Sequence, residues 1–179
     1  MEKYKGYTYE IEHDEFVYDP LTDSTPEERG AWFLLKHNRY DLPFELDIDM
    51  DKFDSWTALA KATKKPYKFV RWYEHSGIAV SLRDDESGQD WDAGIAGVIV
   101  GNTTDEIESA FADWKCYIEG DIWQVHIVDP YGDTPEDDGD MSGIFGYEYA
   151  VDFAEQRIDL EENSINYATK AKHAGELHR

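Results

Sequence analysis

The sequence predicts a single α+β domain, a mostly antiparallel sheet with two or three helices. Three observations point to it. Short apolar runs of strand length recur through the chain. Between them lie segments whose apolar residues repeat at three- and four-residue spacing, bounded by capping and stop signals. No internal repeat or linker breaks the 179 residues, so residues 1–165 read as one domain and 166–179 as a frayed tail.

Residues 7–12 alternate, with Tyr7, Tyr9 and Ile11 set against Thr8, Glu10 and Glu12, the period of a half-buried strand. A polar loop with Pro20 and Pro26 follows, then a short apolar strand from Trp32 to Leu35. From Asp51 to Lys65, Phe53, Trp56, Leu59 and Ala60 recur at helical spacing, and Pro66 stops the helix. Lysines in its last turn suit the negative end of the helix dipole. Tyr67–Tyr73 is rich in aromatics and valine and reads as a strand, with a bend at Gly77 before another strand at Ile78–Leu82. Ile95–Val100 reads as a buried strand. Thr103 and Glu106 have capping-box spacing, and the helix they open runs to about Trp114 with Ile107, Phe111 and Trp114 on one face. Ile122–Val128 is a further strand, ended by Asp129-Pro130, and a Gly- and Asp-rich loop follows. A last helix runs from about Tyr147 to Ala168, its apolar stripe being Tyr147, Val151, Ala154 and Ile158.

Composition narrows the classes. With 6 Trp, 12 Tyr and 8 Phe the chain has ample material for a core, which excludes disorder. No stretch approaches the ~20 apolar residues of a membrane span. The start, Met1-Glu2-Lys3-Tyr4, lacks the apolar core of a signal peptide. Cys116 is the only cysteine, so neither an internal disulfide nor a Cys-based zinc site can form. A cytoplasmic location is expected.

Charge is the strongest signal. The chain has 40 acidic and 17 basic residues, a net of −23. A nucleic acid or an anionic membrane would repel it, so neither is an expected partner. The excess is uneven: residues 72–162 hold 24 acids against Arg83, Lys115 and Arg157 only. Duplex DNA carries one charge per ~1.7 Å of axis, so this net charge matches roughly 40 Å of duplex. A compact chain of this length is also about 40 Å across. Gathered on one face, the carboxylates would approach the charge density of DNA.

Three acidic groups are candidates for such a face. Asp84, Asp85, Glu86, Asp90 and Asp92 form the first. Asp47, Asp49, Asp51 and Asp54 form another and, if strand-like, the first three would project on one face at roughly 6.6–7 Å intervals, close to the spacing of phosphates along one DNA strand. Asp129, Asp133, Glu136, Asp137, Asp138 and Asp140 form a dense loop of the kind calcium prefers, but without EF-hand spacing. No metal and no cofactor is expected. His75 and Ser76 with Asp92 contain the residue types of a hydrolytic triad, yet no Gly-x-Ser-x-Gly elbow is present, and adjacent residues on a strand point to opposite faces. These residues read instead as a turn, and His126, inside an apolar strand, as a core histidine.

Four segments taken in order carry a resemblance. They are Gly30-Ala31-Trp32 with His37-Asn38-Arg39-Tyr40-Asp41-Leu42; Tyr73 to Ser81, containing His75-Ser76-Gly77; Trp91-Asp92-Ala93-Gly94; and Glu119-Gly120-Asp121-Ile122-Trp123. Over roughly residues 6 to 155 the chain resembles a family of uncharacterised acidic proteins of phages and mobile elements, departing from it near Asp133–Ile144. The resemblance implies a phage-type origin, and a structural role for His75, Ser76, Gly77, Trp91, Asp92 and Gly94. Small acidic phage proteins often resemble DNA mimics, the antirestriction and anti-defence inhibitors.

The expected function is therefore an inhibitor, not an enzyme, acting in the host cytoplasm. Through Asp47, Asp49, Asp51, Asp84, Asp85, Glu86, Asp90, Asp133, Glu136, Asp137, Asp138 and Asp140 it would present an acidic surface to a host DNA-binding protein. That target would be a restriction or defence complex, a nucleoid protein or a repair protein. A homodimer would extend the acidic face to DNA length. Two other readings stay open: an acidic adaptor that binds a host protein through aromatic side chains, and a small metal-dependent enzyme using the 129–140 loop.

Overall fold

The computed structural model describes residues 1–15, 19–87, 93–134 and 140–176, with side chains to residue 165. Its elements in chain order are β1 (Glu2–Tyr4), β2 (Tyr7–His13), α1 (Pro26–Arg29), β3 (Ala31–Leu35), α2 (Trp56–Thr63), β4 (Tyr67–Glu74), β5 (Ile78–Arg83), β6 (Ala93–Gly101), α3 (Thr104–Glu119), β7 (Ile122–Val128), β8 (Asp140–Phe145) and α4 (Tyr147–Glu176). Contacts group them into two compact units, Met1–Val17 with Asp121–Arg179, and Tyr18–Gly120. Each unit has one antiparallel four-stranded sheet, so the predicted α+β class holds.

The first unit has strand order β1-β2-β7-β8. Lys5 and Gly6 join β1 to β2, both at positive φ (47° and 88°), as two-residue hairpin turns of type I′ need. The alternation of residues 7–12 works as expected. Tyr7 and Tyr9 face inward with Val125, Ile127 and Ile144, and α4 covers them with Ala150, Ala154 and Ile158. Ala150 and Ala154 are fully buried, and their small side chains let the helix approach the sheet closely. Ala150, not Tyr147, begins the buried stripe; Tyr147 is exposed. The backbone of α4 continues past Ala168 to Glu176.

Residues 140–145 are a strand where a loop is expected. Ile144 and Met141 supply its apolar contacts, and Gly143 at φ 74° accompanies an irregularity in its pairing with β7.

The second unit has strand order β3-β6-β4-β5, and both faces of its sheet are covered. On one face α3 packs Ile107, Ala110, Phe111 and Trp114 onto Phe33, Leu35, Val70, Trp72 and Ile99. On the other, Leu59 and Ala60 of α2, with Phe44, Leu46, Ile48 and Met50, cover Trp32, Leu34, Phe69, Val98 and Val100. This explains the unbroken apolar runs in β3 and β6, since a strand buried on both sides has no polar face.

Helix boundaries follow their caps. Ser55 accepts the N–H of Ala58 and starts α2 later than the Asp51 expected from periodicity. Residues Met50–Lys52 form a separate 3-10 turn capped by Asp49. Thr103 caps α3 as predicted, but the helix runs on past Trp114 to Glu119 and stops at Gly120, whose φ is 75°. A short helix, α1, lies inside the expected polar loop, with a Thr25/Glu28 capping box and Gly30 as its C-cap.

Both edges of the second sheet are plugged by glutamates. Glu45 accepts the N–H of Phe33 on β3 (2.7 Å) and pairs with the buried guanidinium of Arg29. Glu119 accepts the N–H of Val80 on β5 (2.8 Å). Exposed sheet edges template unwanted pairing; residues 43–45 cover β3 through the Leu35 N–H on the Pro43 carbonyl and the Glu45 N–H on the Phe33 carbonyl, and the carboxylates add to this.

Two outcomes follow from the packing. At Gly97 (φ 153°) an added Cβ would lie 2.1 Å from the Leu34 carbonyl oxygen and 2.9 Å from Leu35 Cα. Both obstacles are backbone, so Gly97→Ala should abolish the cooperative urea transition or shift its midpoint far down. Tyr9 is buried and its hydroxyl donates to Glu2; burial first, and that bond second, push its pKa up to about 12. The folded chain then holds a proton the unfolded chain releases near pH 10, so this stabilisation is complete below pH 10 and lost as pH rises through about 12. Tyr9→Phe should remove that share of the alkaline decline, read from urea midpoints across the same window.

Candidate partner-binding surface

The face of the first sheet opposite α4 is built by strand alternation. Thr8, Glu10 and Glu12 point away from the Tyr7–Tyr9 core, and β2 pairs with β7 so that Glu10 lies opposite His126 and Glu12 opposite Gln124. Across the next ladder His126 lies opposite Asp140. The result is a row, Glu10–His126–Asp140, crossing three strands. His126 Nδ1 contacts Asp140 Oδ1, and Gln124 Nε2 donates to Glu12 Oε2 at 3.3 Å. The side chains of His126 and Asp140 are 47% and 72% exposed. His126 is therefore not a core histidine; it stands among carboxylates on an open face. Asp14, buried to 7% exposure, closes one end of this concavity of about 570 Å³ and accepts the N–H of Gly143 at 2.7 Å.

Sequence reasoning missed Glu10, Glu12 and Asp14 as site residues. Alternation alone put the two glutamates on one face. What gathers them with His126 and Asp140 is the pairing of strands 112 residues apart, which no local pattern reports.

The predicted acidic residues divide by what holds them. Asp47, Asp49 and Asp51 are all exposed, with Leu46, Ile48 and Met50 packed beneath them. Their spacing is not that of a strand, because Asp49 caps the 3-10 turn at Met50–Lys52 and also pairs with Lys52. Asp84 is 84% exposed and pairs with Lys68. Asp85 accepts two bonds from Ser87, its side-chain hydroxyl first and backbone N–H second, and these hold its pKa below the usual carboxylate range. Glu86 is half-buried and already committed to the protein's own backbone. Its carboxylate accepts the N–H groups of Trp56 and Thr57 and the Thr57 hydroxyl (2.7 Å), anchoring the N-terminus of α2. Asp133 sits in a turn organised by Asp129, whose Oδ1 accepts the N–H groups of Tyr131 and Asp133. Asp90, Glu136, Asp137 and Asp138 lie outside the described residues. Of the 40 acidic and 17 basic residues, the first unit holds 19 and 6 and the second 21 and 11, so both units are anionic.

The His-Ser-Gly segment forms the turn between β4 and β5, closed by the N–H of His75 on the Gly77 carbonyl (3.3 Å). Trp91 and Asp92 lie outside the described residues, whereas Gly94 is in β6. His75 and Gly94 share one cleft of about 690 Å³ with Lys36, His37, Arg39, Trp72 and Glu74. Thus segments far apart in sequence meet where β3, β4 and β6 end or begin.

Among the described residues, no group of three or more His, Cys, Asp or Glu side chains is placed to hold a metal ion. Among them, too, no helix is long and apolar enough to cross a membrane. No family model, curated protein or solved structure matches the chain.

Glu86 and Asp84 stand close in sequence but not in role. Glu86→Ala should cost about 1–2 kcal/mol, because the Trp56 and Thr57 N–H groups in the first turn of α2 lose their acceptor. Asp84→Asn should stay within about 0.5 kcal/mol, as exposed pairs do. Urea denaturation of the two variants checks both values.

Proposed function

We propose that the chain is a binding protein, not a catalyst, and offers its carboxylates to a cationic surface of another protein, one that binds DNA. The observation that carries this reading is the open sheet face of the first unit. There Glu10, Glu12 and Asp140 stand together, away from the α4 side. Carboxylates two apart on a strand are spaced at ~6.6–7 Å and held by the sheet, so the array is rigid rather than a flexible acidic tail. A groove lined with lysine and arginine is attracted to any anion array at long range, and fixed placement then sets specificity. The exposed Asp47, Asp49 and Asp51 add a second set on the other unit. A restriction or defence complex, a nucleoid protein or a repair nuclease in the host cytoplasm fits as target.

One observation favours an aromatic adaptor instead. Tyr131 is 91% exposed at a turn that Asp129 fixes by accepting two N–H groups. A rigidly presented tyrosine is a good interface anchor. The two readings respond oppositely to salt.

The test is capture from host lysate with the chain as bait, washed at rising salt. Mimicry predicts DNA-binding proteins that elute with salt and are displaced by duplex DNA. A triple variant, Glu10→Gln with Glu12→Gln and Asp140→Asn, should capture markedly less. A salt-resistant partner indifferent to DNA, but lost in Tyr131→Ala, would favour the adaptor.

A further inference from the structure

We infer that the cleft at the end of the second sheet is a binding site for a small phosphate-bearing molecule, held by His37, Arg39 and Lys36. The inference is independent of the acidic face.

The three residues line one cleft. Lys36 follows β3 directly, and its N–H is tied to the Ala96 carbonyl (2.8 Å), which sets the path of residues 36–39 beside the start of β6. His37 is fixed on its ring face: it stacks on Trp72 at 5.0 Å with 28° between planes and lies 5.1 Å from Tyr40. Its Nδ1 accepts the N–H of Arg39 at 3.3 Å. In the neutral ring the proton must then sit on Nε2, which is left as a donor. Arg39 gives Nη1 to Glu74 Oε1 (2.9 Å), and Tyr40 donates its hydroxyl to the same oxygen. Nε and Nη2 of Arg39 have no partner among the described residues, and its side chain is 73% exposed. Lys36 Nζ likewise has none among them. Of the described residues that line the cleft, Glu74 is the one carboxylate, and Arg39 already neutralises it.

What His37, Arg39 and Lys36 have left to offer is N–H donors. An acceptor-only ligand matches them, and an oxyanion with several oxygens can take an arginine edge, an imidazole N–H and an ammonium together. This local balance runs against a chain of net charge −23. At ~0.1 M salt, carboxylates more than about 10 Å away are largely screened. A cleft of about 690 Å³ has room for a nucleotide-sized molecule. Trp56 and Trp72 line it and supply an optical reporter.

The experiment titrates the full chain with adenosine 5′-monophosphate, ribose 5-phosphate and adenosine at ~0.1 M salt, following tryptophan fluorescence and calorimetry. The expected result is saturable binding of both phosphates and none of adenosine. Arg39→Ala should weaken phosphate binding about tenfold or more, as loss of a charge-assisted bond does. Because Arg39 is exposed, that variant should keep the parent urea midpoint; Lys36→Ala serves as a second exposed variant. Absence of phosphate binding up to millimolar concentration would overturn the inference. So would equal binding of adenosine, or binding that survives both substitutions unchanged.

Discussion

A sheet with no face left for water governs the second unit. Once β3 and β6 are apolar on both sides, two separate layers must cover them, and the chain supplies α3 for one face and α2 with residues 44–50 for the other. Within the sheet itself, β6 runs so close to the backbone of Leu34 and Leu35 on β3 that Gly97 admits no Cβ. The outer edges of β3 and β5 are met from outside the four strands, that of β3 by the backbone of residues 43–45. Glu45 and Glu119 close them, and Arg29 offsets the charge of Glu45 inside the protein.

The acidity of the chain therefore has more than one origin. Some carboxylates are construction: Glu45 and Glu119 at sheet edges, Glu86 at the start of α2, Glu28 in its capping box. Others, including Asp47, Asp51, Glu10 and Glu12, are on the outside and are not needed to finish a backbone hydrogen bond. Net charge counts both kinds alike. Only the second kind is available to a partner, which is why the open sheet face carries more weight than the larger number of acids elsewhere.

Much of the fold could be read from local pattern. The alternation at residues 7–12, the unbroken run at 95–100 and the Thr103/Glu106 cap each reported their own element, because each depends on neighbours in sequence. Where pattern failed, another interaction had decided. Phe53 fits a helical period with Trp56, yet Ser55 caps the helix and Phe53 stays outside it. Residues 140–145 look like a loop by composition, and pairing with β7 makes them a strand. Glu86 looks equivalent to Asp84 and Asp85 in sequence, and only the folded position of Thr57 sets it apart. The row of Glu10, His126 and Asp140 was the least legible, since each residue comes from a different strand.

The ladder between β2 and β7 bears on the order of folding. Glu12 and Gln124 meet although they lie 112 positions apart in the chain, and the whole second unit lies within that interval. On a ribosome, the N-terminal hairpin emerges first but has only half a sheet to join. The second unit can be complete once Gly120 is out, before β7 has emerged to pair. Structure formed there removes chain freedom in advance and lowers the entropy still to be lost when the long loop closes. Synthesis thus favours the inserted unit folding first, and the first sheet then joins two chain segments that the folded insert already tethers to each other.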